Sequence, residues 1–292
     1  MSILIMAVAP LAYYLLSFYC VLDYFYGLRR PRLLHPCFAP PVSIIKPVRN
    51  VDREAYENFA SFCRLDYPEY EVVFAVSDPD DPVIPVIQKI RQSFPNCSVR
   101  LVTAAANLGA NKKVNNLCQL VKEARHELIV MSDSDVRVDL DYLREVVAPF
   151  ADRRVGVVTA FYRSISGEGL ASALEDLGMY TDSAPSALVA RKLEGNMRFA
   201  FGWTMATTKK VLSEIGGFES LVNHHSDDFE LGNRISELGY LVELMRKPVD
   251  MVLPDECFRE FLKHELRWSI GLRNVRPLGY LGMIFTHGLP WT

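Results

Sequence analysis

The chain has 292 residues, enough for one large domain or two small ones, and half of them are hydrophobic, so a sizeable core is within reach. A net charge of −3 argues against a general nucleic-acid binder. The six cysteines (Cys20, Cys37, Cys63, Cys97, Cys118 and Cys257) are scattered, with no CxxC pair and no Cys/His cluster. That pattern excludes a structural zinc site and reads as reduced, structural thiols in a cytosol-facing protein.

The first element is uncharged from Ile3 to Leu22. As a helix of roughly 30 Å it matches a bilayer core. Arg29, Arg30 and Arg32 follow at once and the preceding flank is bare. By the positive-inside rule this is a transmembrane anchor with the rest of the chain on the cytosolic side. A cleaved signal peptide fits less well, because no basic residues precede the apolar run. Residues 29–41 carry four prolines and read as a tether.

Strands and helices then alternate, the signature of a parallel sheet. Strands are expected at Val42–Val48, Glu71–Val76, Val99–Thr103, Leu128–Met131 and Val155–Thr159. Helices are expected from Asp52, as cap, to Arg64, from Asp81-Pro82 to Phe94, from Lys112 to Ala124, and from Leu140 to Phe150.

The informative stretch is Leu128–Val138, where an apolar run breaks into Ser132-Asp133-Ser134-Asp135. A short continuous apolar run suits a central parallel strand buried on both faces, and ligands bind at the carboxyl ends of such strands. Asp133 and Asp135 are two apart, so in extended chain they point the same way. Two converging carboxylates repel unless a cation lies between them, which suits Mg²⁺ or Mn²⁺ beside a diphosphate. A loop in which Asp133 caps the next helix accounts for the same residues. Lys46 and Asp78 end two other strands on the same expected rim, and Lys112 or Lys113 could neutralise phosphate. Each lysine also fits a solvated helical turn.

In the second half, Gly167–Leu188 reads as a helix with Pro185 near its end. Phe199–Ala206 is apolar and aromatic around Gly202, which fits a buried strand or an acceptor platform at Gly202-Trp203. In His224-His225-Ser226-Asp227-Asp228, Ser226 can cap a helix that Gly239 ends. Acidic residues in a first turn are favoured by the helix dipole. Two histidines beside two aspartates also offer metal ligands, though in no common zinc spacing. On a helix over Cys257–Leu272, His264, Arg267 and Trp268 share one face, while Phe258, Phe261, Leu262, Leu266 and Ile270 form a broad apolar surface suited to a core or a membrane interface. Beyond Pro277 the chain turns apolar again, like the start of another membrane segment.

Four marks in order, Asp78, Asp133-Ser-Asp135, Asp228 and His264-Glu-Leu-Arg267-Trp268, resemble the D, D, D, (Q/R)xxRW signature of family-2-type inverting glycosyltransferases. The branch is similar to ceramide glucosyltransferase and its bacterial, hopanoid-associated relatives. Lys46–Asp52, Leu65–Glu71, Ser77–Pro82 and Lys113-Val-Asn-Asn116 read the same way, so the resemblance covers roughly residues 42–280. Two departures stand out: His264 where the pattern has Gln or Arg, and Asp227 where many relatives have Glu.

The resemblance implies a GT-A-type α/β fold, a mostly parallel sheet flanked by helices, with an N-terminal transmembrane helix and C-terminal interfacial helices. It implies an anchor (1–28), a tether (29–41), a nucleotide-sugar-binding half (42–160), an acceptor-binding and catalytic half (161–256) and an interfacial helix with the start of a further membrane segment (257–292). It implies transfer of a hexose, glucose first, from a UDP-sugar to a lipid hydroxyl such as that of ceramide. Transfer to a hopanoid or other membrane lipid, with N-acetylglucosamine or another hexose, is the alternative.

Asp78, Asp133, Lys113, His264, Arg267 and Trp268 would hold the nucleotide sugar. Asp133 and Asp135 would hold Mg²⁺ or Mn²⁺, Gly202 and Trp203 would face the acceptor, and Asp228 would be the base. A capping aspartate has its pKa lowered, so its proton would have to move late, as the attacking hydroxyl becomes acidic. A polysaccharide synthase, a nucleotidyltransferase and a non-catalytic nucleotide-sugar-binding protein are the other classes considered. The nucleotidyltransferase explains neither Asp228 nor the Arg267-Trp268 pair.

Overall fold

The computed structural model describes residues 2–28, 38–103, 107–165, 167, 169–255 and 257–286. In chain order the elements are α1 (Ser2–Leu28), β1 (Val42–Pro47), α2 (Ala55–Phe62), β2 (Tyr70–Val76), α3 (Ile84–Ser93), β3 (Ser98–Thr103), α4 (Lys112–Glu123), β4 (Leu128–Ser132), β5 (Val136–Arg137) and α5 (Tyr142–Val147). They continue with β6 (Val155–Thr159), β7 (Tyr162–Ile165), α6 (Leu170–Gly178), α7 (Ala184–Glu194), β8 (Thr204–Thr208), α8 (Lys209–Glu214), α9 (Asp227–Glu237), β9 (Leu241–Leu244), β10 (Val249–Val252), α10 (Phe258–Val275) and α11 (Pro277–Thr286). Two compact units interleave along the chain: Leu34–Gly167 with Met197–Asp255, and Met1–Leu33 with Glu168–Asn196 and Glu256–Thr292.

The larger unit is built on a sheet ordered β3-β2-β1-β4-β8-β6-β9. β1 pairs in parallel with both β2 and β4, so Val42–Pro47 is buried throughout, and this is why its sequence shows no polar alternation. The chain winds outward from β1 through β2 to β3, then returns to place β4 on β1's other side. That reversal is a topological switch point, and in such sheets the crevice beyond the strand ends takes the ligand. β8 runs antiparallel to both β4 and β6, so the sheet is mostly but not wholly parallel. A second sheet, β5-β10-β7, is made of strands of two to four residues, too short to leave a periodic pattern in the sequence.

Several helix starts differ from expectation. Asp52 supplies only a backbone carbonyl to Ala55, and the N-cap of α2 is Glu54, in left-handed conformation with no side-chain cap bond. Ser226 occupies the N-cap of α9 but makes no side-chain cap bond; Asp228 accepts from the first-turn amide of Phe229, while Asp227 accepts from the Asn111 side chain. Asp133 caps no helix, because the chain turns instead into β5.

Gly232, on α9, lies so close to Phe199 and Ala200 that a Cβ would fall 2.6 Å from the Phe199 carbonyl carbon and collide with the Ala200 amide. Backbone cannot yield as a flexible side chain can. Gly232→Ala is expected to destabilise the protein by about 1–3 kcal/mol, measured as a fall in thermal midpoint in detergent. An unchanged midpoint would mean that α9 does not pack on residues 199–200.

In the smaller unit, α1 contains the one stretch, Val8–Gly27, that is long and apolar enough to cross a membrane among the described residues. The expected tether falls largely outside them. α7 packs along α1 through Tyr13 Oη and Ser186 Oγ at 2.7 Å and through Lys192 Nζ and Asp23 Oδ2 at 2.9 Å. The helix expected over Gly167–Leu188 is instead α6, a π turn (Met179–Ser183) and α7. Pro185 falls in the first turn of α7 rather than near a helix end. The helical run is unbroken from α6 into α7, and the π turn just ahead of Pro185 is the kind of irregularity that accommodates a residue unable to donate its backbone hydrogen bond.

Candidate active site

Lys46, near the end of β1, is fully buried. Its ammonium donates to the Asp133 carbonyl oxygen at 2.6 Å and to Ser132 Oγ at 3.2 Å, and lies 3.8 Å from the centre of the Phe62 ring. Burial pushes this group down to about 7, against the pull of Asp133, Asp135 and Asp52. A buried lysine thus braces the turn that carries the two aspartates.

Lys113, in the first turn of α4, places Nζ 2.6 Å from Asp133 Oδ1 and donates to the Gly202 carbonyl at 3.4 Å. Burial works against its charge, but Asp133, then Asp227 and Asp228, hold its pKa above the ordinary lysine value. Asp228, at the start of α9, accepts from the Phe229 amide at 2.8 Å. A Cβ on Gly202 would fall 3.0 Å from Asp228 Oδ2 and 3.3 Å from Lys113 Nζ, so glycine lets this backbone pass beside both charges. Lys113, Asp133, Gly202 and Asp228 therefore form one cluster, drawn from four segments.

The acidity expected of Asp228 is reversed. Burial first, then its neighbour Asp227, push Asp228 up to about 6, against the smaller lowering by Lys113 and the Phe229 amide. A helix N-terminus lowers a carboxyl by a modest, easily screened amount. Desolvation beside a second carboxylate outweighs it here.

Two further residues hold this corner in place: Asn111, which sequence reasoning left aside, and Asp52, which it read only as a helix cap. Asn111 caps α4 by accepting from the Val114 amide at 3.2 Å, and its side chain donates to Asp227 Oδ1 at 3.0 Å and to the His224 carbonyl at 2.8 Å. Its signal was present as an Asn directly before a helix. The link to Asp227 spans 116 residues and left none. Asp52 is the other: burial raises its pKa while a hydrogen bond from Ser134 lowers it. His224 Nε2 lies 3.2 Å from Arg234 Nη2, so this ring is engaged by an arginine of α9.

Asp133 and Asp135 are the candidate cation ligands. Burial, with Asp133 and Asp52 behind it, pushes Asp135 up to about 7, and its Oδ1 is buried with no hydrogen-bond partner. A buried carboxylate oxygen without a donor, beside a second carboxylate, fits a hard divalent cation. Among the described residues no group of three or more His, Cys, Asp or Glu side chains is arranged to hold a metal. Phosphate oxygens and water would have to complete the shell, as is usual for Mg²⁺.

Asp78, just beyond β2, is exposed and accepts from the Asp80 amide at 2.9 Å, forming its own turn. Trp203 donates its indole N–H to the Ala160 carbonyl, stacks on Phe201 at 4.7 Å and meets Tyr162 edge-on. What it can still offer a ligand is aromatic surface. β8 begins only at Thr204, so Gly202 and Trp203 lie in the turn before it and not in a strand.

His264, Arg267 and Trp268 lie on α10, in the smaller unit. The His264 and Trp268 rings are 4.6 Å apart. Burial, and then Arg267, push the imidazole down to about 4. His264 Nδ1 faces Glu175 Oε1 on α6 at 3.5 Å.

A family model described as glycosyl transferase family 21 matches residues 2–292. The chain belongs to this family. It is 27% identical over 233 residues to ceramide glucosyltransferase 3 of Caenorhabditis elegans, covering 78% of this chain and 50% of the relative. It is 25% identical over 210 residues to ceramide glucosyltransferase 1 of the same organism, covering 72% and 45%. The chain thus spans about half the length of these curated relatives.

Among solved structures, the mannosyltransferase PcManGT of Pyrobaculum calidifontis, in complex with GDP-Man and Mn²⁺, superposes with a TM-score of 0.66 at 20% identity, covering 93% of this chain and 74% of that one. GalNAc-T7 with UDP, GalNAc and Mn²⁺ gives 0.56 at 14% identity, covering 75% and 44%. Both likenesses concern the fold, which is GT-A. The curated relatives that this family 21 chain matches are thus ceramide glucosyltransferases.

Proposed function

We propose that the protein is a membrane-bound inverting glycosyltransferase moving a hexose, glucose first, from a UDP-sugar to a lipid hydroxyl such as that of ceramide. The observation that carries this reading is the convergence of Lys113, Asp133, Gly202 and Asp228 at the sheet's switch point. Residues 42–160 would bind the donor and 161–256 the acceptor. Asp78 would meet the uracil or ribose. Asp133 and Asp135, with Mg²⁺ or Mn²⁺, and Lys113 would face the diphosphate, and Arg267 would add a planar fork of donors to it. His264 and Trp268 would close the donor site, and Gly202-Trp203 would border the acceptor. A bound divalent ion would supply Lewis-acid neutralisation of the leaving nucleotide.

Asp228 is placed as the general base. With its pKa raised to about 6, it is ionised at neutral pH and still basic enough to take a hydroxyl proton as the bond to the anomeric carbon forms. A hydrophobic anchor at Val8–Gly27 supports a membrane setting, in which a lipid acceptor need not leave the bilayer. The larger unit would face the cytosol, where the nucleotide sugar is.

The test is a screen on membranes carrying the full-length protein. Labelled UDP-glucose and UDP-N-acetylglucosamine are offered against ceramide and a hopanoid lipid, with and without EDTA. Label entering ceramide, and lost with EDTA, is the expected result. Label in the hopanoid keeps the mechanism and changes the acceptor. Transfer to no lipid would sink the reading.

A further inference from the structure

Glu175 has no part in the reaction as described, yet it is a carboxylate whose side chain is 4% exposed, set on α6 against α10. Its Oε1 lies 3.5 Å from His264 Nδ1. Among the described residues that nitrogen has no hydrogen-bond partner, and the contact is slightly too long to count as one. Ligand-free sites commonly hold such contacts long and shorten them in the working complex.

The two sides of the imidazole differ. Trp268 lies against the ring at 4.6 Å, and Arg267 is the charged group next to it on the same helix. Burial and Arg267 keep the ring neutral at physiological pH. A neutral imidazole has one N–H and one lone pair, and the partner of one nitrogen decides which nitrogen carries the proton. If the proton sat on Nε2, the Nδ1 lone pair would point at a buried carboxylate oxygen, and the two would repel. With the proton on Nδ1, the same geometry becomes a donor facing an acceptor.

We infer that Glu175 is a positioning residue that fixes His264 as the Nδ1–H tautomer, so that Nε2 accepts a hydrogen bond from a substrate hydroxyl. This rests on the glycosyltransferase reading above, and it changes what His264 does there. A lone pair repels phosphate oxygens, so His264 would leave the diphosphate to Arg267 and select a hydroxyl group. The hydroxyl belongs either to the sugar of the donor or to the acceptor lipid.

The experiment has two parts. First, the full-length protein in detergent is labelled with ¹⁵N-histidine, and the His264 signal, identified by its loss in His264→Gln, is read near pH 7. A protonated Nδ1 is expected; a protonated Nε2 would overturn the inference whatever the variants do. Second, Glu175→Leu removes the acceptor and Glu175→Gln keeps one oxygen in place.

Glu175→Leu should move the proton to Nε2 and raise one substrate KM by about tenfold, the worth of one ordinary hydrogen bond, with kcat little changed. Glu175→Gln should recover most of that loss. A rise in donor KM assigns the hydroxyl to the sugar, and a rise in acceptor KM assigns it to the lipid. In the His264→Gln background, Glu175→Leu should add no further change in KM. An equal loss in both backgrounds would make Glu175 merely structural and overturn the inference. If the wild type transfers no sugar at all, the glycosyltransferase reading fails by itself, while the tautomer measurement still stands.

Discussion

Asp228→Asn is expected to lower kcat by about 10²–10⁴-fold, the usual worth of a positioned general base, while nucleotide binding persists. The amide keeps the shape and can still accept from the Phe229 N–H, so the loss would report the missing proton acceptor rather than a collapsed helix start. The pH profile should show the same group. The base works as carboxylate and is protonated below about pH 6, so kcat should rise with pH through about 6 and then level off. Asp227→Asn gives an independent check. Asp227 is one cause of the raised pKa, so removing its charge should move the acid limb to lower pH. Full activity in Asp228→Asn, measured as label transferred to lipid, would falsify the assignment of the base.

Lys113→Met should be nearly as damaging, for a different reason. Its ammonium touches Asp133 at 2.6 Å and is the cation that lowers the Asp228 pKa. The pair is about one-third exposed on each side, so after solvent screening its loss should cost about 1–3 kcal/mol of stability. The larger effect is on the reaction. Asp133, Asp227 and Asp228 would be left without their shared cation, and a diphosphate would meet a more negative surface. Donor KM should rise by roughly 100-fold, about 2.7 kcal/mol. The acid limb should move to higher pH, because Asp228 loses a stabilising positive charge. Isothermal titration with UDP and a pH–rate profile measure both; unchanged values in the two would remove Lys113 from the site.

The strands Val42–Pro47, Tyr70–Val76 and Leu128–Ser132 were legible because parallel strands buried on both faces read as continuous apolar runs. Their order, and so the position of the switch point, depends on pairings no local pattern records. The chain marked Asp133 and Asp228 as notable, but it did not predict the environment of Asp228. That environment depends on Lys113, 115 positions away by number, and on burial, both invisible to capping rules. Glu175 was missed although a signal was there: Ala171, Ser172 and Glu175 fall on one helical face, and a charge among small residues on a buried face needs a reason. Lys46, inside an otherwise apolar strand, is the same kind of clue.

The interleaving of the two units bears on how the protein is made. Tyr13 on α1 and its hydrogen-bond partner Ser186 on α7 are 173 residues apart. At a synthesis rate of about 5–20 residues per second, α1 leaves the ribosome roughly ten seconds or more before α7 exists. Among the described residues the contacts of α7 and α11 with α1 are all of this late kind. The first helix must therefore persist without its eventual neighbours while the whole β1–β7 segment is being synthesised, and in the membrane-bound reading lipid is the surrounding in which its uncharged stretch Ile3–Leu22 can wait. Mutations in Ser186 or Lys192 would then act chiefly on assembly yield, as a defect in the last docking step of biogenesis rather than in turnover.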